Sequence, residues 1–83
     1  MEWKESNNQL SASFVFADFI GAFAFMTEVA IHVEKINHHP TWSNTYNKVD
    51  IKLTTHNAGN TVTEKDRKLA DIITSVYAKY KVD

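Results

Sequence analysis

The chain has no cysteine, so neither a disulfide framework nor a thiolate metal site can brace it. One proline and two glycines among 83 residues are too few for a collagenous, linker-rich or disordered chain. An excess of one charge sign is missing as well. Nine Lys and Arg stand against ten Asp and Glu, a formal net charge of −1. A nucleic acid held by bulk electrostatics would call for a basic surplus, and none is visible. The longest apolar run, Ala22 to Met26, is far below membrane-spanning length. No basic region followed by an apolar stretch and a cleavage site opens the chain. These absences lead us to expect a single cytoplasmic domain over residues 1–83, with no direct nucleic-acid partner and no membrane.

What is present is a globular composition, 43% apolar and 12% aromatic. A chain of this size hides only roughly 60–65% of the surface its unfolded form exposes. Self-association is the simplest way to enlarge so thin a core. There is no repeat, low-complexity tract or linker.

Periodicity divides the chain into six elements. Phe14 and Phe16 share a parity in Ser11 to Phe16, which reads as a strand; a first strand around Glu2 to Glu5 pairs with it across Ser6-Asn7-Asn8. From Ala17 to Ile36 the spacing of Phe19, Phe23, Met26, Ala30 and Val33 is helical, with Asp18 near the positive N-terminal end. Ile20, Ala24 and Ile31 widen that stripe to more than one face. Pro40 and Asn37 place the stop close to Asn37. Asn44 to His56 reads as a hairpin entered through Trp42, Asn44 and Tyr46, with its turn near Asn47-Lys48. Val49, Ile51, Leu53 and Thr55 face a core there, and Asp50, Lys52, Thr54 and His56 face water or a site. After a polar loop, Asn57 to Val62, a last helix starts near Thr63, where Thr63 and Asp66 have capping-box spacing. Its stripe is Leu69, Ile72, Ile73, Val76 and Tyr80. The order ββαββα implies an α+β, two-layer domain: a four-stranded antiparallel sheet with two helices packed on one face.

Of four histidines, His38, His39 and His56 fall at element boundaries, where loops on a rigid scaffold carry sites. His32 lies on the helix face of Glu28 and Lys35 and reads as a solvated residue. Three readings of the boundary set stand side by side. They are polar loop residues, with Asp66 simply a helix cap. They are zinc ligands, although neighbouring imidazoles diverge unless the backbone bends, and H-E-x-x-H spacing is missing. Or they are a metal-free acid–base set, since imidazoles titrate near neutrality and one can donate while another accepts.

The run Glu34-Lys35-Ile36-Asn37-His38-His39-Pro40-Thr41-Trp42-Ser43-Asn44-Thr45-Tyr46-Asn47-Lys48-Val49 resembles the signature of the pterin-4a-carbinolamine dehydratases. The likeness continues through Ile51, Leu53, Thr55 and His56 to Asp66. Upstream, Phe16-Ala17-Asp18-Phe19 and Phe23-Ala24-Phe25-Met26 resemble that family's first long helix. Longer members carry an extra N-terminal helix, whereas this chain starts at or within the first strand. The loop between His56 and Asp66 is one residue longer than the common form.

The resemblance implies a lyase that dehydrates 4a-hydroxytetrahydropterin (4a-hydroxytetrahydrobiopterin) to the quinonoid dihydropterin in pterin recycling, with no cofactor and no metal. By resemblance His38, His39 and His56 are the acid–base set, and Asp66 supports one of them. Asn37, His38, His39, Pro40, Trp42, Thr54, Thr55, His56 and Asn57 would surround the pterin substrate. Main-chain groups of the edge from Thr54 to Asn57 would meet its amide-like side. The family likeness further implies a homodimer or homotetramer. An alternative role is that of a non-catalytic pterin binder or dimerisation cofactor for a transcription factor.

Overall fold

A computed structural model describes residues 3–81. Four antiparallel strands and two helices follow one another as β1 (Lys4–Ser6), β2 (Gln9–Val15), α1 (Phe19–Ile36), β3 (Thr41–Thr45), β4 (Lys48–Leu53) and α2 (Glu64–Tyr77). The sheet order is β1-β2-β4-β3, so the two central strands are those whose apolar residues alternate most cleanly. Leu10 and Phe14 of β2 and Val49, Ile51 and Leu53 of β4 are buried. The alternate positions Ser13, Asp50 and Lys52 lie exposed on the opposite face, as a half-buried antiparallel sheet requires. The first strand is found at Lys4–Ser6; Glu2, the start expected for it, lies outside the described residues.

Local chemistry sets the turns. Asn7 and Asn8 both have positive φ (51° and 62°), the conformation that a two-residue hairpin turn needs and that Asn tolerates. The second hairpin turns at Tyr46-Asn47, since Thr45 pairs with Lys48. That is one residue earlier than expected: Tyr46 leaves the strand with φ 50°, and the Asn44 amide donates to the Tyr46 and Lys48 carbonyls.

The second strand of this hairpin ends at Leu53, so the expected extension to His56 is corrected. The Thr54 hydroxyl bonds back to the Asn8 carbonyl, and His56–Ala58 form a single 3-10 turn closed by Gly59 at φ 80°. Thr55 remains inward-facing through an isolated bridge to Thr61.

Helix α1 begins where the Asp18 carboxylate accepts from the Gly21 amide at 2.8 Å. It stops at Asn37, which is left-handed with φ 52° and ψ 47°. The Asn37 amide bonds to the Glu34 carbonyl and the His38 amide to the Val33 carbonyl, the double closure of a Schellman ending. Its buried stripe is Ala22, Phe25, Val29 and Val33; of the expected stripe Val33 is buried and Met26 and Ala30 are half-buried, whereas Phe19 and Phe23 are exposed. Ile20 is 76% and Phe23 56% exposed, and Phe19 and Ile31 are also open. With apolar residues on two sides, periodicity alone does not choose between them. Phe25 wins because it meets Phe14, Phe16 and Tyr77, at ring separations of 5.3, 4.9 and 5.9 Å.

Helix α2 buries Leu69, Ala70, Ile73 and Val76, while Ile72 is half-buried. Tyr80 lies beyond the helix end and packs on the same core. Among the described residues, no helix is long and apolar enough to cross a membrane.

Candidate active site around Asp66

Thr63 caps α2, and its amide is in turn bonded by the Asp66 side chain, the reciprocal pair of a capping box. This places Asp66 in the first turn with its side chain under the loop that follows β4. Its carboxylate has no exposed surface, yet both oxygens are engaged. Oδ2 accepts from the Thr63 amide at 2.9 Å and from the Thr55 hydroxyl at 2.7 Å. Oδ1 meets His38 Nε2 at 2.6 Å. Burial pushes the Asp66 carboxyl up, but the bonds from His38, Thr63 and Thr55 together hold it below the usual carboxylate range. An ionised carboxylate only accepts, so His38 carries its proton on Nε2 and turns Nδ1 away from Asp66.

Asp66 therefore joins two loops distant in sequence, the one that leaves α1 and the one that leaves β4. The Schellman ending fixes the backbone that presents His38, whose side chain is only 11% exposed. His39, the next residue, points to a different carboxylate: its Nε2 lies 2.7 Å from Glu34 Oε1, and both side chains are open to water. His56 follows Thr55 directly, is exposed, and donates from Nδ1 to Asn60 Oδ1 at 2.7 Å. Each imidazole is thus steered through one ring nitrogen.

The other expected residues divide into two groups. Asn37 and Asn57 are exposed, and Pro40 and Thr54 are half-buried. Trp42 is half-buried against the core, in register with Ile51. Its strand also borders a cleft of about 550 Å³ that Lys4, Ser11, Asp50 and Lys52 line on the outer sheet face and that His38, His39 and His56 do not line. The main chain of Thr55 is spent within its own loop: its amide bonds to the Thr61 carbonyl, and its carbonyl accepts from Ala58 and Asn60. Of that strand edge, Thr55 contributes from behind, through its hydroxyl.

His32 is half-buried in the groove between the helices, beside Glu28 and Ile72, rather than fully solvated. Glu34, Asn60 and the Thr63 hydroxyl are partners that sequence reasoning did not single out. The four-residue spacing from His56 to Asn60, across a glycine, and the capping-box spacing of Thr63 and Asp66 are the local signals for them. Among the described residues, no three metal-ligating side chains stand together.

The family model for pterin 4 alpha carbinolamine dehydratase matches residues 1–76. The chain belongs to that family. A provisionally named pterin-4-alpha-carbinolamine dehydratase of Prochlorococcus marinus (strain MIT 9515) is 48% identical over 77 residues, covering 93% of this chain and 79% of that protein. One from Rhizobium leguminosarum bv. trifolii (strain WSM2304) is 48% identical over 75 residues, covering 90% and 73%. A crystal structure described as a transcriptional coactivator/pterin dehydratase from Brucella melitensis superposes with a TM-score of 0.85 at 42% identity, covering 90% of this chain and 81% of that one. A pterin dehydratase-like protein identified as a RuBisCO assembly factor in the alpha-carboxysome gives a TM-score of 0.75 at 19% identity, covering 92% and 87%. That last likeness is one of fold alone.

Proposed function

We propose that the protein dehydrates a 4a-hydroxytetrahydropterin to the quinonoid dihydropterin and water, as a step in pterin recycling. The observation that carries this reading is the buried Asp66–His38 pair, set between the loops that present His39 and His56. In the reaction the C4a–O bond breaks, the hydroxyl leaves as water, N5 loses its proton, and a C=N bond forms. No electrons are exchanged with a second molecule. Hydroxide is a poor leaving group unless protonated, so an acid and a base must act at neighbouring atoms of one bicycle.

His38, its proton held at Nε2, offers Nδ1 as the base for N5. His39 donates to the departing hydroxyl, and His56 completes the acid–base set. Asn37, Pro40, Trp42, Thr54 and Asn57 frame the ring. A stopped-flow assay with chemically generated 4a-hydroxytetrahydropterin, run with and without chelator, tests this directly. Acceleration over the uncatalysed reaction that survives the chelator is the expected result, and no acceleration refutes the reading.

The open face of α1 supports a second reading. Phe19, Ile20, Phe23 and Ile31 present apolar surface that self-association or a partner helix would cover, and the Brucella relative's description includes a coactivator role. A homodimer or homotetramer follows from this reading. Multi-angle light scattering at micromolar concentration checks it, and a monomer of 9.5 kDa speaks against it. Retained partner binding in a His39→Ala protein that has lost turnover would separate the two roles.

A further inference from the structure

Thr55 is buried, with 6% of its surface exposed, lies outside the strands and helices, and bonds through its hydroxyl to two other side chains. Its oxygen is 2.7 Å from Asp66 Oδ2 and 2.7 Å from Thr63 Oγ1. A hydroxyl has one proton to donate. Because Asp66 as a carboxylate can only accept, that proton belongs to Oδ2. The bond between the two threonines is then ordered as well: Thr63 donates to Thr55. Thr63 Oγ1 in turn accepts from the Lys65 amide at 3.3 Å. Donation therefore runs from the Lys65 amide through Thr63 and Thr55 into Asp66 Oδ2, and from His38 Nε2 into Oδ1 of the same carboxylate. Each bond polarises the next, and the line passes from an exposed link at Lys65 to a buried one at Asp66.

We infer that this hydroxyl relay from the N-terminal turn of α2 fixes the tautomer of His38, and that Thr55 is a positioning residue for the base. The inference rests on the dehydratase reading for its catalytic consequence, though not for its structural one. Without the Thr55 proton, Oδ2 keeps only the Thr63 amide, and Asp66 is freer to rotate or to take up a proton. Once protonated, Asp66 can donate to Nε2, and His38 would then hold its own proton on Nδ1. That is the atom the base needs bare. A methyl-for-hydroxyl exchange at Thr55 changes this while leaving shape and volume almost untouched.

The test combines a spectroscopic readout with turnover. Nitrogen chemical shifts of the His38 ring are measured well above the ordinary imidazole pKa of about 6.5, in the wild type, Thr55→Val and Thr55→Ser. The wild type and the serine variant should show His38 protonated on Nε2. Thr55→Val should shift population toward Nδ1 and lower kcat by about ten- to a hundredfold with KM little changed, the scale of one lost hydrogen bond to a charged group. An Nδ1-protonated wild type overturns the relay, as does a valine variant with unaltered tautomer and kcat. Should Thr55→Val fail to fold, Thr55→Cys, a weaker donor of similar size, replaces it under the same criteria. A wild type without turnover, but with His38 responding to Thr55, removes the dehydratase reading and keeps the relay. Turnover with an unresponsive His38 does the reverse.

Discussion

His38 and His39 are neighbours in the chain, and each meets a carboxylate at almost the same distance, 2.6 Å to Asp66 and 2.7 Å to Glu34. Their surroundings are opposite. The first pair is 11% and 0% exposed, the second 55% and 78%. Asp66 also accepts from an amide and a hydroxyl, whereas Glu34 projects from the last turn of a helix into water. Separation alone therefore says little about what an ion pair does. A buried carboxylate with all its acceptors used is locked and locks its partner, while an exposed one exchanges its partner for solvent at small cost.

The sharpest way to break this contrast is to remove the buried member. Asp66→Asn places an amide where two donors and His38 converge: its NH2 group either leaves one of those donors without an acceptor or faces His38 and drives the ring proton from Nε2 to Nδ1. Stability should fall by about 1–3 kcal/mol, the cost of a buried polar group left unpaired. Turnover should fall by up to about 10⁴-fold, the scale seen when a histidine loses its orienting carboxylate. Urea unfolding and the stopped-flow assay report the two effects separately. A variant unchanged in both would mean that burial at Asp66 carries no function.

His39→Ala attacks the exposed member and should divide the effects cleanly. If His39 donates to the leaving hydroxyl, turnover drops by about 10²–10⁴-fold. Far-ultraviolet circular dichroism and the urea midpoint should stay as they were, because the side chain is 55% exposed and its one polar partner, Glu34, lies in water. An equal loss of stability in both variants would erase the distinction between the pairs.

These two histidines also show how much of the molecule was legible in the sequence. The spacing of Val49, Ile51 and Leu53 and the cap at Thr63 led directly to the right elements, since local period and local hydrogen bonding decide both. Asn37 as the helix terminator was readable for the same reason. The face of α1 was not: apolar residues surround it, and only the position of the Phe14-Phe16-Tyr77 cluster selects Phe25 over Phe23. The H-H-P run points to a candidate site, yet nothing in it says that His38 turns inward and His39 outward. That division depends on Asp66, 28 residues further on, and on a loop that brings Thr55 to its other oxygen. In the sequence, capping and catalysis stand as rival explanations of Asp66, whereas its geometry allows both, one oxygen facing the helix end and the other the imidazole.

The acid limb of stability sharpens the comparison further. The Asp66 carboxyl is held below its ordinary value in the folded protein. Its contribution is therefore complete above the unfolded carboxylate pKa of about 3.9 and is lost as pH falls through the lower folded value. Urea midpoints of the wild type and Asp66→Asn should stand apart at neutral pH and converge below about pH 4. A gap that stays constant with pH would show that the Asp66 charge is not what differs.

The smallest effect belongs to Glu34→Gln. The amide oxygen can still accept from His39 Nε2, so the steering hydrogen bond survives while the charge goes. Exposed pairs of this kind contribute about 0–1 kcal/mol, and the urea midpoint should barely move. Turnover should change by less than about tenfold, because a factor of ten requires about 1.4 kcal/mol, more than a screened surface charge supplies. Added salt should abolish even that difference, since the side chains lie in water, where charges are screened over about 8–10 Å. A loss as large as that of Asp66→Asn, persisting at high salt, would mean that Glu34 and His39 close against each other around bound substrate and become the buried pair at that moment.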